Sequence, residues 1–295
     1  MPLPKPPLIP EFALKHMSKI KNIPFLSKLA SSSVHNPTPE ELHGHKKAQR
    51  LAYQCAVEIA KELKPGWSEK QTTDLMDTWL QDHGVNNFFH KSFAWFGDRS
   101  GFVGFKQYWD FMPKKKRLAE NDVIILDTAP IVSGYAGDIG FTFSLKPNED
   151  LLAARTLLLK LRKDILTMFQ SEWTSKKIWT KVDEEFKENN YVNCYERYPF
   201  SVLGHRVHKV PMSWIPGLTI PFSIHSYWHL MSRGLIPELL GPWHEGELKG
   251  VWAIEPHLGT NKFGAKFEEI IVVSDESIYW LDEDVPHLNL PQGLF

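Results

Sequence analysis

Val123-Ile124-Ile125-Leu126-Asp127 and then Ser133-Gly134-Tyr135-Ala136-Gly137-Asp138-Ile139-Gly140-Phe141-Thr142-Phe143 form the stretch from which the rest of the chain can be read. The first run is short, apolar and β-branched, which predicts a buried strand ending on Asp127. The glycines that follow have the freedom a tight turn needs. Ile139, Phe141 and Phe143 then alternate with Gly140, Thr142 and Ser144, the period of a half-buried strand. Two aspartates, eleven residues apart, thus mark this strand and turn.

Three later segments carry the same kind of residue: Leu203-Gly204-His205, Trp252-Ala253-Ile254-Glu255-Pro256, and Gly264-Ala265-Lys266-Phe267-Glu268-Glu269. Asp127, Asp138, His205, Glu255 and Glu268 together offer four carboxylates and one imidazole. Such a set can hold two divalent ions about 3.5–4 Å apart, and the pair can activate a shared water at neutral pH. The competing reading makes the aspartates turn or cap residues and His205 a hydrogen-bonded core histidine. It requires four acids on apolar strands with no partner, and burying unpaired charge is costly enough to be rare. Strand alternation sends Glu268 and Glu269 to opposite faces, so only one of them can face the ions.

Helical patterns flank these strands. Thr38-Pro39-Glu40-Glu41 supplies an N-cap, a proline at the first helical position and a capping-box glutamate, and it predicts a helix to about Leu63. Lys64-Pro65-Gly66 stops it, and Ser68 with Gln71 opens a second capped helix before His83-Gly84. Phe88 to Phe105 reads as strand and loop. Two more helices are predicted over about 149–169, capped by Asn148, and 175–188. Strands return around 202–207, 251–255 and 266–273. Residues 1–37 read as an extended, proline-rich and basic arm, and 38–295 as one folded domain. Within it, 211–250 carries prolines at 211, 216, 221, 237 and 242 and reads as an insertion of loops with one short helix.

Composition narrows the function classes. The 295 residues are 42% hydrophobic, enough for a full core. The formal net charge is −1, and no basic block exceeds Lys114-Lys115-Lys116-Arg117, which argues against a nucleic-acid partner. Cys55 and Cys194 match no metal-binding spacing and are too few for a disulfide framework, which suits a reducing compartment; the expected location is the cytoplasm. No run approaches the roughly 18 apolar residues of a membrane span. Many of the eleven tryptophans (Trp95, Trp109, Trp214, Trp228, Trp243, Trp252) flank the candidate metal segments. They could wall a pocket, although core packing accounts for most tryptophans.

Taken in order, these motifs resemble the peptidase M24 superfamily of methionine aminopeptidases, prolidases and creatinases. The resemblance covers about 40–282, with no sign of the extra N-terminal domain of prolidases and creatinases. It implies the pita-bread fold, an α/β (α+β) arrangement in which helices flank a curved antiparallel sheet with two pseudo-symmetric halves. It also implies that Asp138 and Glu268 bridge two divalent ions, that Asp127 chelates one, and that His205 and Glu255 complete the other. Mn²⁺, Fe²⁺, Co²⁺ and Zn²⁺ all suit such ligands. By the same resemblance a hydroxide shared by the ions attacks a substrate carbonyl, Glu255 shuttles the proton, and His208 hydrogen-bonds the substrate or the developing oxyanion.

The pattern departs from the family in places. The usual second histidine stands seven residues after the ligand, whereas His208 follows His205 by three. The pocket histidine that precedes the first aspartate in the peptidases would fall near Asp110, where there is none, and His90 is the nearby candidate. That argues against a methionine aminopeptidase. The spacing of Glu255 and Glu268, thirteen residues, is closer to the prolidases. His225 and His229 stand four apart but read as packing or solvent-facing residues, and Arg206 reads as part of a structural ion pair more than as an anchor for a substrate carboxylate.

The leading expectation is a two-metal hydrolase of a peptide or peptide-like C–N bond, of aminopeptidase or dipeptidase type, acting on small substrates and able to dimerise. A creatinase-like hydrolase of a non-peptide metabolite is the first alternative. The second is an inactive, peptidase-like binding module.

Overall fold

The computed structural model describes residues 34–210, 233, 236–244 and 246–295. Most of the 1–37 arm and much of the 211–250 insertion, including Trp214, Trp228, His225 and His229, lie outside the described residues.

Helix α1 (Pro39–Glu62) and helix α2 (Glu69–Asp82) begin where their capping sequences predict. Thr38 Oγ1 accepts from the Glu41 amide at 3.2 Å while the Glu41 carboxylate accepts from the Thr38 amide at 2.8 Å, and Ser68 with Gln71 repeats the exchange. Next come β1 (Asn87–Phe96), β2 (Val123–Val132), β3 (Tyr135–Ala136) and β4 (Ile139–Ser144). Within this unit β2 pairs antiparallel with β1, β3 and β4. Helix α3 (Glu149–Gln170), capped by Asn148, and helix α4 (Ser175–Glu188) follow. The remaining strands are β5 (Val192–Asn193), β6 (Gly204–Arg206), β7 (Leu239–Leu240), β8 (Gly250–Ile254), β9 (His257–Gly259), β10 (Gly264–Lys266), β11 (Glu269–Val273) and β12 (Ile278–Trp280). They form two more antiparallel sheets, ordered β10-β9-β5 and β12-β11-β8-β6-β7. Bridges Gly140 to Glu268 and Tyr135 to Lys209 tie the first sheet to the later strands. The chain is therefore a mixed α+β fold.

Two large cores explain the apolar runs. Val123 and Ile125 of β2 point into a core shared with α3, α4 and Trp252, Ile254 and Ile271, whereas Ile124 and Leu126 point into a core with α1, α2, Ile139, Phe141 and Phe143. A strand buried on both faces has no polar side to alternate with, hence the unbroken Val-Ile-Ile-Leu. The half-buried reading of β4 is corrected on the same ground: all six of its residues are buried. Its second face lies against β10, where Thr142 Oγ1 donates to the Lys266 carbonyl at 2.7 Å and accepts from the Lys266 amide at 2.9 Å. Small and polar residues on that face therefore signal a close neighbour, not solvent. Among the described residues no helix is long and apolar enough to cross a membrane.

Candidate metal centre

Asp127 lies in β2 opposite Phe93 on one side and Gly140 on the other. Asp138 follows β3, and its two oxygens face two imidazoles: His90 Nε2 is 3.1 Å from Oδ1 and His205 Nε2 is 3.1 Å from Oδ2. Each ring offers its Nδ1 to the backbone carbonyl of the next residue, Lys91 at 2.9 Å and Arg206 at 3.1 Å. A carbonyl only accepts, so Nδ1 carries a proton in both rings and Nε2 is the atom turned to the centre. Metal-binding histidines are oriented in this way. Phe89 stacks on His205 with ring centroids 5.2 Å apart, which further fixes its plane.

Two groups of donors result, one of His90, Asp127 and Asp138 and one of Asp138, His205 and Glu268; within each group the candidate ligand atoms lie within 4.8 Å of one another. All five residues are buried. Asp138 belongs to both groups, as a residue shared between two ions must. The donor set thus fits divalent cations. His90, which the sequence pattern left without a secure place, stands beside Asp127 and Asp138.

Glu268 faces this cluster and Glu269 faces away, as strand alternation requires. Glu269 receives Arg162 Nε at 2.6 Å and Nη2 at 2.8 Å, with His287 Nε2 at 2.6 Å. Glu255, at the end of β8, completes the acidic wall. His208 is buried and hydrogen-bonded to the buried carboxylate of Glu238. Arg206 is a structural residue, but through carbonyls instead of an ion pair: its guanidinium donates to the backbone of Pro237 at 3.2 Å, Glu247 at 2.6 Å and Lys249, and lies 4.3 Å over the Trp252 ring. Trp95 and Trp252 are core residues, whereas Trp109 and Trp243 are exposed.

One central residue was missed from the sequence. Lys266 is fully buried, and its Nζ lies 2.8 Å from Asp127 Oδ2, 2.8 Å from Glu255 Oε2 and 2.8 Å from Glu268 Oε2. The acids that the sequence left without a partner therefore have one for three of the four. The signal was present: Lys266 precedes Glu268 by two, and residues two apart in extended chain share a face. Tyr198 Oη lies 3.3 Å from Nζ and 3.0 Å from His257 Nδ1, while His257 Nε2 lies 2.7 Å from the Ser100 carbonyl. His257 must donate to that carbonyl, so its Nδ1 accepts from Tyr198, and the phenol oxygen is left to accept from Lys266.

The electrostatics are those of a buried charge cluster. Burial opposes the charge on Lys266, yet Asp127, Glu255 and Glu268 hold its ammonium well above the ordinary lysine range. Burial also opposes the charge on His90, but Asp138 and then Asp127 raise it to about 9. Despite burial, His90 and His205 hold Asp138 well below the usual carboxylate range. Burial and the neighbouring Asp138 push Glu268 up, and burial raises Glu255.

The M24 metallopeptidase family matches residues 43–275. An uncharacterized peptidase of Staphylococcus epidermidis is 23% identical over 172 residues, covering 58% of this chain and 47% of that protein, so the chain spans about half the length of this relative. The crystal structure of an X-Pro aminopeptidase from Thermotoga maritima superposes with a TM-score of 0.64 at 16% identity, over 86% of this chain and 64% of that one. The prolidase from Pyrococcus furiosus gives 0.63 at 18%, over 86% and 67%. These structures share the fold, and the matched stretch runs from α1 through all five predicted ligands: the chain belongs to metallopeptidase family M24.

Proposed function

We propose that the chain is a two-metal hydrolase of a peptide or peptide-like C–N bond, of aminopeptidase or dipeptidase type. The observation that carries this reading is Asp138, buried and aimed from its two oxygens at two donor groups. Asp138 and Glu268 would be the shared ligands, with Asp127 on one side and His205 and Glu255 on the other. Bound divalent ions, of Mn²⁺, Fe²⁺, Co²⁺ or Zn²⁺ type, supply Lewis-acid polarisation of a carbonyl and a nucleophile at neutral pH. Glu255, buried beside the two donor groups, would take a proton at Oε and return it to the leaving amine. His208, which the resemblance puts on the substrate side, has its Nε2 turned to the Glu238 carboxylate. The related prolidase and X-Pro aminopeptidase structures support small proline-containing peptides as the first substrates to try.

Metal analysis and Mn²⁺ or Co²⁺ titration of chelator-stripped protein test the reading, with Asp138→Ala and Glu268→Ala alongside. Wild type is expected to take up ions that both variants lose, and to cleave members of a Xaa-Pro and general dipeptide panel. Ion uptake with silence across the panel favours a creatinase-like C–N bond in a non-peptide metabolite. Absence of uptake in the wild type sinks the enzyme and leaves a peptidase-like binding module.

A further inference from the structure

We infer that Tyr53 and Gln49 of α1 are positioning residues for the proposed metal centre: with His45 they hold, from a single helix, the backbone that carries both Asp138 and Glu268. The inference rests on the metal-centre reading proposed above. Residues four apart on a helix lie on one face. His45, Gln49 and Tyr53 form such a row, and all of them are buried. His45 Nδ1 donates to the Ala136 carbonyl at 2.8 Å, just before Asp138. Gln49 Oε1 accepts from the Ile270 amide at 2.9 Å, just after Glu268. Tyr53 Oη donates to the carbonyl of Glu268 itself at 2.7 Å.

These bonds act where the strands give the ligands little support. Glu268 falls between β10, which ends at Lys266, and β11, which begins at Glu269, and it meets β4 through the isolated bridge to Gly140. Asp138 falls in the same way between β3 and β4. Helix α1 reaches both gaps. Gly137, the residue before Asp138, permits the approach, because a Cβ there would run into the α1 backbone at Ala48 and Gln49. From His45 to Tyr53 the helix rises about 12 Å, a length that a rigid ladder of hydrogen bonds keeps fixed. The two proposed shared ligands come from distant parts of the chain, and this row gives them a common ruler. Groups that orient a ligand without touching the ion are typically worth about 10–100-fold in metal affinity.

Calorimetric titration of chelator-stripped protein with Mn²⁺ tests this on wild type, Tyr53→Phe, Gln49→Met and Tyr195→Phe, with urea unfolding of each metal-free protein alongside. Tyr53→Phe keeps the ring and deletes the hydroxyl that holds Glu268. Gln49→Met deletes the acceptor for Ile270 and stands in if Tyr53→Phe does not fold. Tyr195→Phe controls for a general loosening of the fold: its phenol also donates to a backbone carbonyl, that of Trp179 at 3.2 Å, but its ring packs against Trp179 and Phe186 of α4. The Tyr53 and Gln49 variants are expected to bind Mn²⁺ at least about tenfold more weakly than wild type. At saturating Mn²⁺ the spin coupling between the ions, read by EPR, is expected to change in these two variants. Tyr195→Phe is expected to lower the urea midpoint while leaving both readouts as in wild type. Wild-type affinity in the Tyr53 and Gln49 variants, or an equal loss in Tyr195→Phe, would overturn the positioning role and leave the metallohydrolase standing. No uptake in the wild type would remove the metal centre itself and this inference with it.

Discussion

His45 makes the stability of the fold depend on pH. Its ring is buried under Tyr135 and its Nδ1 donates to the Ala136 carbonyl at 2.8 Å. Burial lowers its pKa from 6.5 to about 4. Between those two values the unfolded chain binds a proton that the folded one refuses, so stability falls as the pH drops from about 6.5 to 4. The difference in unfolding free energy between wild type and His45→Gln is expected to narrow by about 3 kcal/mol across that window, read from urea titrations at several pH values. What the sequence shows at this scale is uneven. The ligand candidates announce themselves because acids in or beside strands are anomalous among Val, Ile and Phe, although β2 does not end on Asp127 as its sequence suggests but pairs on to Val132. Lys266 does not, because a lysine in a strand is ordinary unless its burial is known, and that burial comes from β4 crossing over it.

The helices were legible from their ends. Thr38 with Glu41, Ser68 with Gln71, and Asn148 place three helix starts correctly because capping is local chemistry, settled within four residues. The close contacts between elements were not legible, since they depend on partners far along the chain. Gly137 is one. A Cβ there would fall 2.1 Å from the Ala48 carbonyl carbon and 2.3 Å from the Gln49 nitrogen, both backbone atoms of α1. Neither can turn aside, so Gly137→Ala is expected to cost about 3 kcal/mol or more, or to abolish soluble expression. Denaturant unfolding of Gly137→Ala beside wild type reads that loss, and a cost under about 1 kcal/mol would show that α1 gives way.

Across the whole molecule, Arg162 of α3 reaches the strand that follows the centre. It grips Glu269 with two bonds, and Glu269 stands back to back with the proposed ligand Glu268. Arg162→Leu leaves a buried carboxylate with the His287 ring as its remaining side-chain partner, and a loss of about 3–5 kcal/mol in unfolding free energy is expected. Loss of less than 1 kcal/mol in the same denaturation series would show that His287 alone suffices. The Gly140 to Glu268 bridge has a consequence in time as well as in space. Asp127 and Asp138 leave the ribosome long before Glu268, and domains fold as units from the N-terminal side during synthesis. The nascent chain has only half a chelator until β11 emerges and docks. On the proposed two-metal reading, ion capture would therefore be a late, post-assembly event, and an ion added to a refolding chain would report the moment at which its two ends meet.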